Sequence, residues 1–264
     1  MEIPAHFGFA YITPLHHDIY PSIDPTSSSL SQPEKIVLIT GAGKGIGRSI
    51  ALSYAHANVS CLILLSRTLS DLSSLKTSIS TINPQIRVLT FAVDVTCPSS
   101  ISKIAEEVKT KEGRLDILIN NAGHSTPWVP LPESPVDDYW RTIEVNLKGP
   151  FLLLHAFLPL LKETGERTGK GTDVVNVTSI GAHAIHPGGS AYQISKFALL
   201  RLTEFVDVEF GDQAVGEGDG EMGKGMGKGV RCFSVHPGGV KTELTAKSVE
   251  AVRRSEFFFS SILD

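Results

Sequence analysis

The stretch KIVLITGAGKGIG, residues 35–47, decides how the rest of the chain is interpreted. Its first part, KIVLIT, is a short run of β-branched and aliphatic residues, typical of a strand that is buried on both faces. Its second part carries glycines at positions 41, 45 and 47, and a helical pattern begins at Ile46. A strand, a glycine loop and a helix in this order predict the first unit of an α/β fold.

The alternation of strands and helices continues along the chain. Helical patterns cover about residues 46–57, 70–80, 99–111, 137–162 and 191–210, and the long fourth helix is expected to bend near Pro150. We therefore predict an α/β fold, a Rossmann-type doubly wound parallel sheet of about six strands with helices on both faces. The five strands after the first are CLILLS (61–66), IRVLTFAV (86–93), LDILIN (115–120), DVVNVTS (173–179) and VRCFSV (230–235).

Composition divides the chain into three parts. Residues 1–34 are rich in Pro, Ser and Thr, which predicts a poorly ordered N-terminal extension or a loosely docked arm. Residues 35–264 are expected to form a single Rossmann-fold domain. Within it, residues 211–229 contain eight glycines and predict a flexible surface insertion.

Charge and cysteine content argue against several classes of protein. The formal net charge is −4 with no basic block, so neither nucleic-acid nor membrane-surface binding is indicated. Three widely spaced cysteines predict no disulfide framework and no metal site, and they fit a reducing compartment. The longest apolar run, FLLLHAFLPLL, is too short to span a bilayer, which takes about 20 residues. No targeting segment is recognisable, so we expect a cytoplasmic protein.

The glycine loop indicates a dinucleotide cofactor. Glycines permit a tight turn and close approach of the backbone to a pyrophosphate, which the N–H groups at the start of the next helix attract. A glycine-rich turn without a ligand is the alternative. Strand two ends in Ser66 and Arg67 with no acid, and Lys44 adds a second cation. This pattern favours NADP(H) over NAD(H), unless both cations are merely solvated.

The stretch SAYQISKFAL places Tyr192 and Lys196 four residues apart on a predicted helix. This spacing puts both side chains on one face, one turn apart. An amphipathic helix with ordinary residues explains the pair equally well, so the neighbouring motifs must decide.

Seven segments in register resemble the short-chain dehydrogenase/reductase family. The resemblance spans about residues 34–245 and implies the Rossmann-type fold predicted above. The segments are TGAGKGIG (40–47), the pair DV at 94–95, NNAG (120–123), EVNLKGPF (144–151), Ser179, YQISK (192–196) and HPGGVKTEL (236–244).

The resemblance implies a catalytic tetrad of Asn146, Ser179, Tyr192 and Lys196, with no metal. The resemblance also implies that Asp94 bonds the adenine edge of the cofactor and that Thr242 bonds its nicotinamide amide. The full set of positions expected to contact the cofactor is Gly41, Lys44, Gly45, Ile46, Gly47, Arg67, Asp94, Val95, Asn120, Ala122, Gly123, Tyr192, Lys196, Pro237, Gly238, Val240 and Thr242.

These residues suit hydride transfer between a carbonyl and an alcohol. A free tyrosine has a pKa near 10. We expect Lys196, together with an oxidised nicotinamide, to lower the pKa of Tyr192 so that it serves as general acid in reduction and base in oxidation. Ser179 is expected to donate to the substrate oxygen, and Asn146 to position a water leading to Lys196.

The first hypothesis is thus an NADP(H)-dependent oxidoreductase that interconverts a ketone or aldehyde with an alcohol. The alternative is a catalytically weak or inactive NADP(H)-binding regulator, and sugar-nucleotide dehydratase or epimerase chemistry is a third reading. The chain resembles a family member with a shortened C-terminus, so either the tail docks in an unusual way to complete the sheet and the substrate lid, or the chain is a shortened member with weak activity. A homodimer through the two long helices is expected, and the resemblance to fungal members suggests secondary metabolism.

Substrate identity is open. We expect the pocket to be approached by His124, Thr126, Trp128, Tyr139, His183 and His186. A wall formed by Trp128 is compatible with a cyclic or aromatic ketone.

Overall fold

The computed structural model describes residues 18–212, 228–240 and 242–244. They form a six-stranded parallel sheet in the order β3-β2-β1-β4-β5-β6, which confirms the predicted doubly wound fold. The strands are β1 (Ile36–Thr40), β2 (Cys61–Ser66), β3 (Arg87–Ala92), β4 (Ile117–Asn120), β5 (Thr172–Val177) and β6 (Val230–Val235). The strand order reverses between β1 and β4, the place where such sheets bind ligands.

Six helices connect and cover these strands. They are α1 (Gly45–His56), α2 (Leu69–Ile82), α3 (Pro98–Glu112), α4 (Val136–Ile143), α5 (Gly149–Thr168) and α6 (Ser190–Phe210). The bend expected near Pro150 is instead a π-helical turn at Glu144–Lys148, which separates α4 from α5. Pro150 lies in the first turn of α5, directly after the π-helical turn.

The core lies on both faces of the sheet. Side chains from α1 and α2, such as Ala51 and Leu72, pack on one face. The other face is covered by α3, α5 and α6, with Phe157 of α5 fully buried. Complete burial of such a side chain stabilises the fold by about 1.5–3 kcal/mol. Because both faces are covered, β1 is buried along its whole length, as the apolar run predicted.

The predictions for the termini and the glycine-rich insertion stay predictions. Residues 18–34 contain two short 3-10 turns, Pro21–Ile23 and Ser28–Leu30, and the N–H of Gln32 donates to the carbonyl of Ala57 at 2.7 Å. Residues 1–17, 213–227 and 245–264 lie outside the described part, and they include most of the insertion and the tail. Across the described segments, no helix combines the length and apolarity needed to cross a membrane.

Candidate active site

A cavity of about 880 Å³ opens at the carboxyl ends of the strands, at the point where the strand order reverses. It is bordered by the glycine loop, the ends of β2 and β3, the NNAG turn after β4, Ser179 after β5, the start of α6 and the segment after β6. The fold therefore brings to one cavity the strand ends that the sequence analysis singled out.

The glycine loop packs tightly against the NNAG turn. A Cβ at Gly41 would lie 2.9 Å from the Cα of Ala122, and Gly41 has a φ of 64°, which side chains rarely adopt. A Cβ at Gly47 would lie 2.3 Å from the carbonyl oxygen of Gly41. Gly47 therefore serves helix packing and does not line the cavity, whereas Gly41 does.

Asn121, a residue that the sequence analysis passed over, joins the two turns. Its Nδ2 donates to the carbonyl of Thr40 at 2.9 Å, and its N–H donates to Thr40 Oγ1 at 3.0 Å. Asn120, which was expected at the cofactor, is buried behind the wall and donates to Asn176 Oδ1 at 2.9 Å. The NNAG turn thus meets the cavity through Asn121, Ala122 and Gly123, while Asn120 ties β4 to β5.

The start of α1 fits the pyrophosphate of a dinucleotide. Helix α1 begins at Gly45, no side chain caps it, and the first-turn N–H groups carry the positive end of the helix dipole. Gly45 and Ile46 line the cavity. A Cβ at Gly45 would meet Thr242 Cγ2 at 3.3 Å, so the segment after β6 closes over this loop. Residues 237, 238 and 240 line the same wall.

Two cations, Lys44 and Arg67, and two carboxylates, Asp71 and Glu243, line the part of the cavity where the adenosine ribose of such a cofactor would lie. Arg67 is exposed at the cavity edge, and it makes no ion pair or hydrogen bond within the described segments. Lys44 Nζ lies 3.1 Å from Glu243 Oε1, and this hydrogen bond raises the pKa of Lys44. Asp71, which the sequence analysis did not weigh, also lines this end. Of Lys44 and Arg67, only Lys44 has a carboxylate partner among the residues that the structure describes.

Asp94 is held by a network at the end of β3. Its Oδ1 accepts hydrogen bonds from the N–H of Thr96 at 2.9 Å and from Thr96 Oγ1 at 2.7 Å, and its Oδ2 accepts from Arg141. Burial raises the pKa of Asp94, but these hydrogen bonds outweigh it and leave the pKa below its ordinary value. Val95 lines the cavity beside it. Arg141 was missed because its role depends on a contact between β3 and α4.

Asn146 lies in the π-helical turn and is fully buried. Its Oδ1 accepts from the N–H of His124 at 2.7 Å, and its Nδ2 donates to the His124 carbonyl and to Ser195 Oγ, both at 2.9 Å. Ser195 in turn donates to the carbonyl of Tyr192 at 2.6 Å. Asn146 does not line the cavity, and both hydrogens of its amide are used, so it joins the turn after β4 to α6.

Ser179, Tyr192 and Lys196 line one wall of the cavity. Ser179 caps the 3-10 turn Ile180–Ala182, and its Oγ accepts from the N–H of Gly181 at 3.1 Å. Lys196 is 4% exposed, and its Nζ donates to the carbonyl of Val177 at 2.8 Å. This Nζ lies 5.7 Å from the centre of the Tyr192 ring. The two side chains share a face of α6, as their spacing predicted.

The expected fall in the pKa of Tyr192 is not found in the chain by itself. Burial raises the pKa of Tyr192 and outweighs a hydrogen bond from Ser179 that lowers it. Burial also lowers the pKa of Lys196 to about 8, because desolvation disfavours the ammonium form. The expectation included an oxidised nicotinamide, so the pKa of Tyr192 beside a bound cofactor stays a prediction; in the chain alone, desolvation of the phenolate determines the direction of the shift.

Of the six residues expected to approach a substrate, only His124 lines the described cavity. Trp128 instead stacks on His186, with ring centres 6.2 Å apart. Throughout the described ranges, no group of three or more His, Cys, Asp or Glu side chains could hold a metal ion.

Comparison with known proteins finds relatives of one kind. The sequence profile described as short chain dehydrogenase matches residues 35–217. The short chain dehydrogenase mpl6 of Monascus purpureus is 41% identical over 255 residues, which cover 95% of this chain and 79% of that protein. The crystal structure of levodione reductase superimposes on this chain with a TM-score of 0.73 and 25% sequence identity. The match covers 85% of this chain and 79% of the levodione reductase chain. The crystal structure of NAD+-bound xylitol dehydrogenase matches with a TM-score of 0.65 and 25% sequence identity, covering 77% of this chain and 69% of the xylitol dehydrogenase chain.

Proposed function

Because this chain belongs to the short-chain dehydrogenase family, an oxidoreductase family that binds nicotinamide dinucleotides, we propose that it is an NADP(H)-dependent enzyme interconverting a ketone or aldehyde with an alcohol. The observation that carries this proposal is the shared cavity, in which Ser179, Tyr192 and Lys196 stand opposite the glycine loop. All four tetrad residues are present, which favours an enzyme over the inactive regulator considered from the sequence.

The proton follows a short path in the proposed reduction. The cofactor, when bound, supplies a hydride to the carbonyl carbon. Tyr192 then gives its phenolic proton to the carbonyl oxygen, so that the C=O π electrons become an O–H bond. In oxidation, the same oxygen of Tyr192 accepts the proton of the alcohol. The raised pKa of Tyr192 keeps the phenol protonated, as its role in reduction requires.

Ser179 and Lys196 both support this transfer. The Ser179 oxygen already accepts the N–H of Gly181, which leaves its own hydrogen to donate toward Tyr192 or a substrate oxygen. The ammonium of Lys196 favours the phenolate that forms when Tyr192 has given up its proton. Lys196 also lies on the cavity wall, where it can bond the hydroxyls of a bound ribose.

The preference for NADP(H) rests on Arg67. A guanidinium can bind a 2′-phosphate bidentately, and Arg67 stands exposed at the cavity edge with no carboxylate partner in the described segments. Asp71, on the same wall, would repel that phosphate, and it is the feature that speaks for NAD(H). Titration with NADPH and NADH separates the two: tighter binding of NADH contradicts the choice of cofactor.

A homodimer through α5 and α6 is part of the proposal. Both helices present apolar side chains to solvent, including Phe151 on α5 and Phe197 and Phe205 on α6, each at least half exposed. Sedimentation should give a mass near twice 28.4 kDa, and the Phe205→Glu variant should shift it toward the monomer. A monomeric wild-type chain contradicts this part. A cytoplasmic location and a place in secondary metabolism stay predictions.

The experiment for the activity combines a cofactor titration with a panel of ketones and aldehydes, followed by NADPH absorbance. We expect oxidation of NADPH with at least one carbonyl, and we expect Tyr192→Phe to abolish it while NADPH still binds. Tight binding of NADPH without turnover across the panel contradicts the proposed activity and favours the regulator. Full turnover by Tyr192→Phe contradicts the role of the phenol.

A further inference from the structure

His236 contacts the turn that carries Ser179. It follows β6 directly, lines the cavity, and its Nδ1 accepts a hydrogen bond from the N–H of Ile180 at 3.2 Å. Ile180 is the residue after Ser179 and begins the 3-10 turn Ile180–Ala182. The imidazole therefore bonds the peptide group that joins Ser179 to the rest of its turn.

We propose that His236 is a positioning residue for Ser179, whose neutral imidazole accepts the N–H of Ile180 through Nδ1 and thereby holds the serine turn at the cavity. The proposal rests on the proposed function, in which Ser179 donates to the substrate oxygen. An accepting Nδ1 requires the tautomer with its hydrogen on Nε2, because a ring nitrogen with a hydrogen cannot accept. His236 is exposed by its accessible area, and its partial desolvation lowers the pKa of the imidazole, in the direction of the neutral form that this bond needs.

The hydrogen bond of His236 constrains the peptide plane that joins Ser179 to Ile180. A peptide group is planar, so a bond to the N–H of Ile180 also fixes the carbonyl of Ser179 and the rotation next to its Cα. The following N–H, that of Gly181, is satisfied by Ser179 Oγ at 3.1 Å. Both amides at the start of the turn thus have acceptors, one from His236 and one from Ser179 itself.

A second pair of bonds ties the same two strand ends together. The N–H of Thr178 donates to the carbonyl of Val235 at 2.8 Å, and Thr178 Oγ1 donates to the same oxygen at 3.1 Å. Residues 235 and 236 therefore hold the two residues that flank Ser179, namely Thr178 and Ile180. The last of these contacts is made by a side chain, so a substitution can remove it and leave the backbone bonds in place.

The test compares two substitutions of nearly equal shape. In His236→Asn, the side-chain oxygen takes the place of Nδ1 and can accept from Ile180, whereas His236→Leu puts a methyl group there. With NADPH and the best ketone of the panel, we expect kcat of the Leu variant to fall about ten- to a hundredfold, since small misplacements of reacting groups cost that much. The Asn variant should stay within about threefold of wild type, and the Kd for NADPH should change less than kcat in both. Equal losses in the two variants overturn the proposal.

A measurement without turnover keeps this test separate from the proposed activity. Nitrogen-15 NMR of the wild-type imidazole should show His236 with its hydrogen on Nε2, and the amide of Ile180 should exchange faster in His236→Leu than in wild type or His236→Asn. A hydrogen on Nδ1, or an Ile180 amide indifferent to the substitutions, overturns the proposal. If no carbonyl is reduced, the proposed activity fails while these two readouts still decide the role of His236.

Discussion

The two ends of the cavity are built from opposite kinds of contact. At the adenosine end, Lys44 and Glu243 pair with side chains that are 57% and 76% exposed, and Arg67 stands free of carboxylates in the described segments. At the catalytic end, Lys196 is 4% exposed and Asn146 is fully buried. The adenosine end therefore presents charged side chains that are exposed to solvent, whereas the other end holds polar side chains that are buried in the protein.

This difference determines what a substitution costs at each end. Exposed ion pairs contribute about 0–1 kcal/mol, because water and salt screen them. A buried donor that loses its acceptor costs about 1–3 kcal/mol, because water cannot replace the lost partner. Changes at the rim should therefore alter which cofactor binds, while changes in the wall should alter how fast the bound molecules react.

The largest effect is expected at the buried ammonium. Lys196→Met keeps the length of the side chain but removes the charge that stabilises the Tyr192 phenolate, so kcat should fall about 10²- to 10⁴-fold, the usual range for a group in general acid–base catalysis. Steady-state kinetics measures this loss, and the exposed Lys162 on α5, changed to Met, is the control. A Lys196→Met enzyme within threefold of wild type contradicts the assignment.

The next effect should appear in binding alone. Arg67→Gln removes the guanidinium proposed to bind the 2′-phosphate, and the Kd for NADPH should rise about ten- to a hundredfold, as hydrogen bonds to charged groups are worth about 1.5–3 kcal/mol. The Kd for NADH should hardly change, because NADH lacks that phosphate. Fluorescence titration with both cofactors gives the two constants. Equal weakening of both would mean that Arg67 contacts a part which they share.

A smaller effect on rate is expected from the buried hydroxyl between Asn146 and Tyr192. Ser195→Ala leaves one hydrogen of the Asn146 amide without its acceptor, which should lower the free energy of unfolding by about 1–3 kcal/mol and kcat by about tenfold. Thr203→Val is the matched control: Thr203 is a buried hydroxyl on the same helix that accepts from Asn176 at 2.9 Å. Denaturant unfolding and kinetics should show that both variants lose stability and only Ser195→Ala loses rate. A comparable fall in kcat for the control refutes a specific role for Ser195.

The smallest effect is expected at the exposed pair of Lys44 and Glu243. Lys44→Gln should change the Kd for NADPH and the midpoint of thermal unfolding only slightly, less than threefold in affinity, because the pair is solvated. The ratio of the two Kd values for NADPH, Lys44→Gln to wild type, should differ little between low and high salt. A loss of NADPH affinity as large as that of Arg67→Gln would show that Lys44 binds the phosphate of the cofactor in place of Glu243.

The sequence was informative wherever a function depends on local spacing. The strands CLILLS and VRCFSV were predicted at the bounds they have, because continuous apolar runs leave a doubly covered strand little freedom. Tyr192 and Lys196 share a helix face, so four residues of separation sufficed to pair them. The π-helical turn that carries Asn146 was missed, since one extra residue in a helical turn leaves no mark on hydrophobic periodicity.

Tertiary contacts account for the rest of what was missed. Arg141 reaches Asp94 across 47 positions of sequence, and His236 reaches Ile180 across 56. No single-sequence pattern links such pairs, although the motif HPGGVKTEL already contained His236. The sign of the Tyr192 pKa shift was also beyond the sequence, because desolvation depends on how the folded wall excludes water.

The most direct measurement is the ionisation of Tyr192 with and without NADP+. Carbon-13 NMR of ring-labelled tyrosine, assigned by loss of one resonance in Tyr192→Phe, follows this group through a pH titration. In the chain alone, we expect a pKa above the ordinary value of about 10, because burial disfavours the phenolate. With NADP+ bound, the nearby positive charge should lower the pKa of Tyr192 toward the working pH. A pKa that is the same in both states contradicts proton transfer by Tyr192 beside the cofactor.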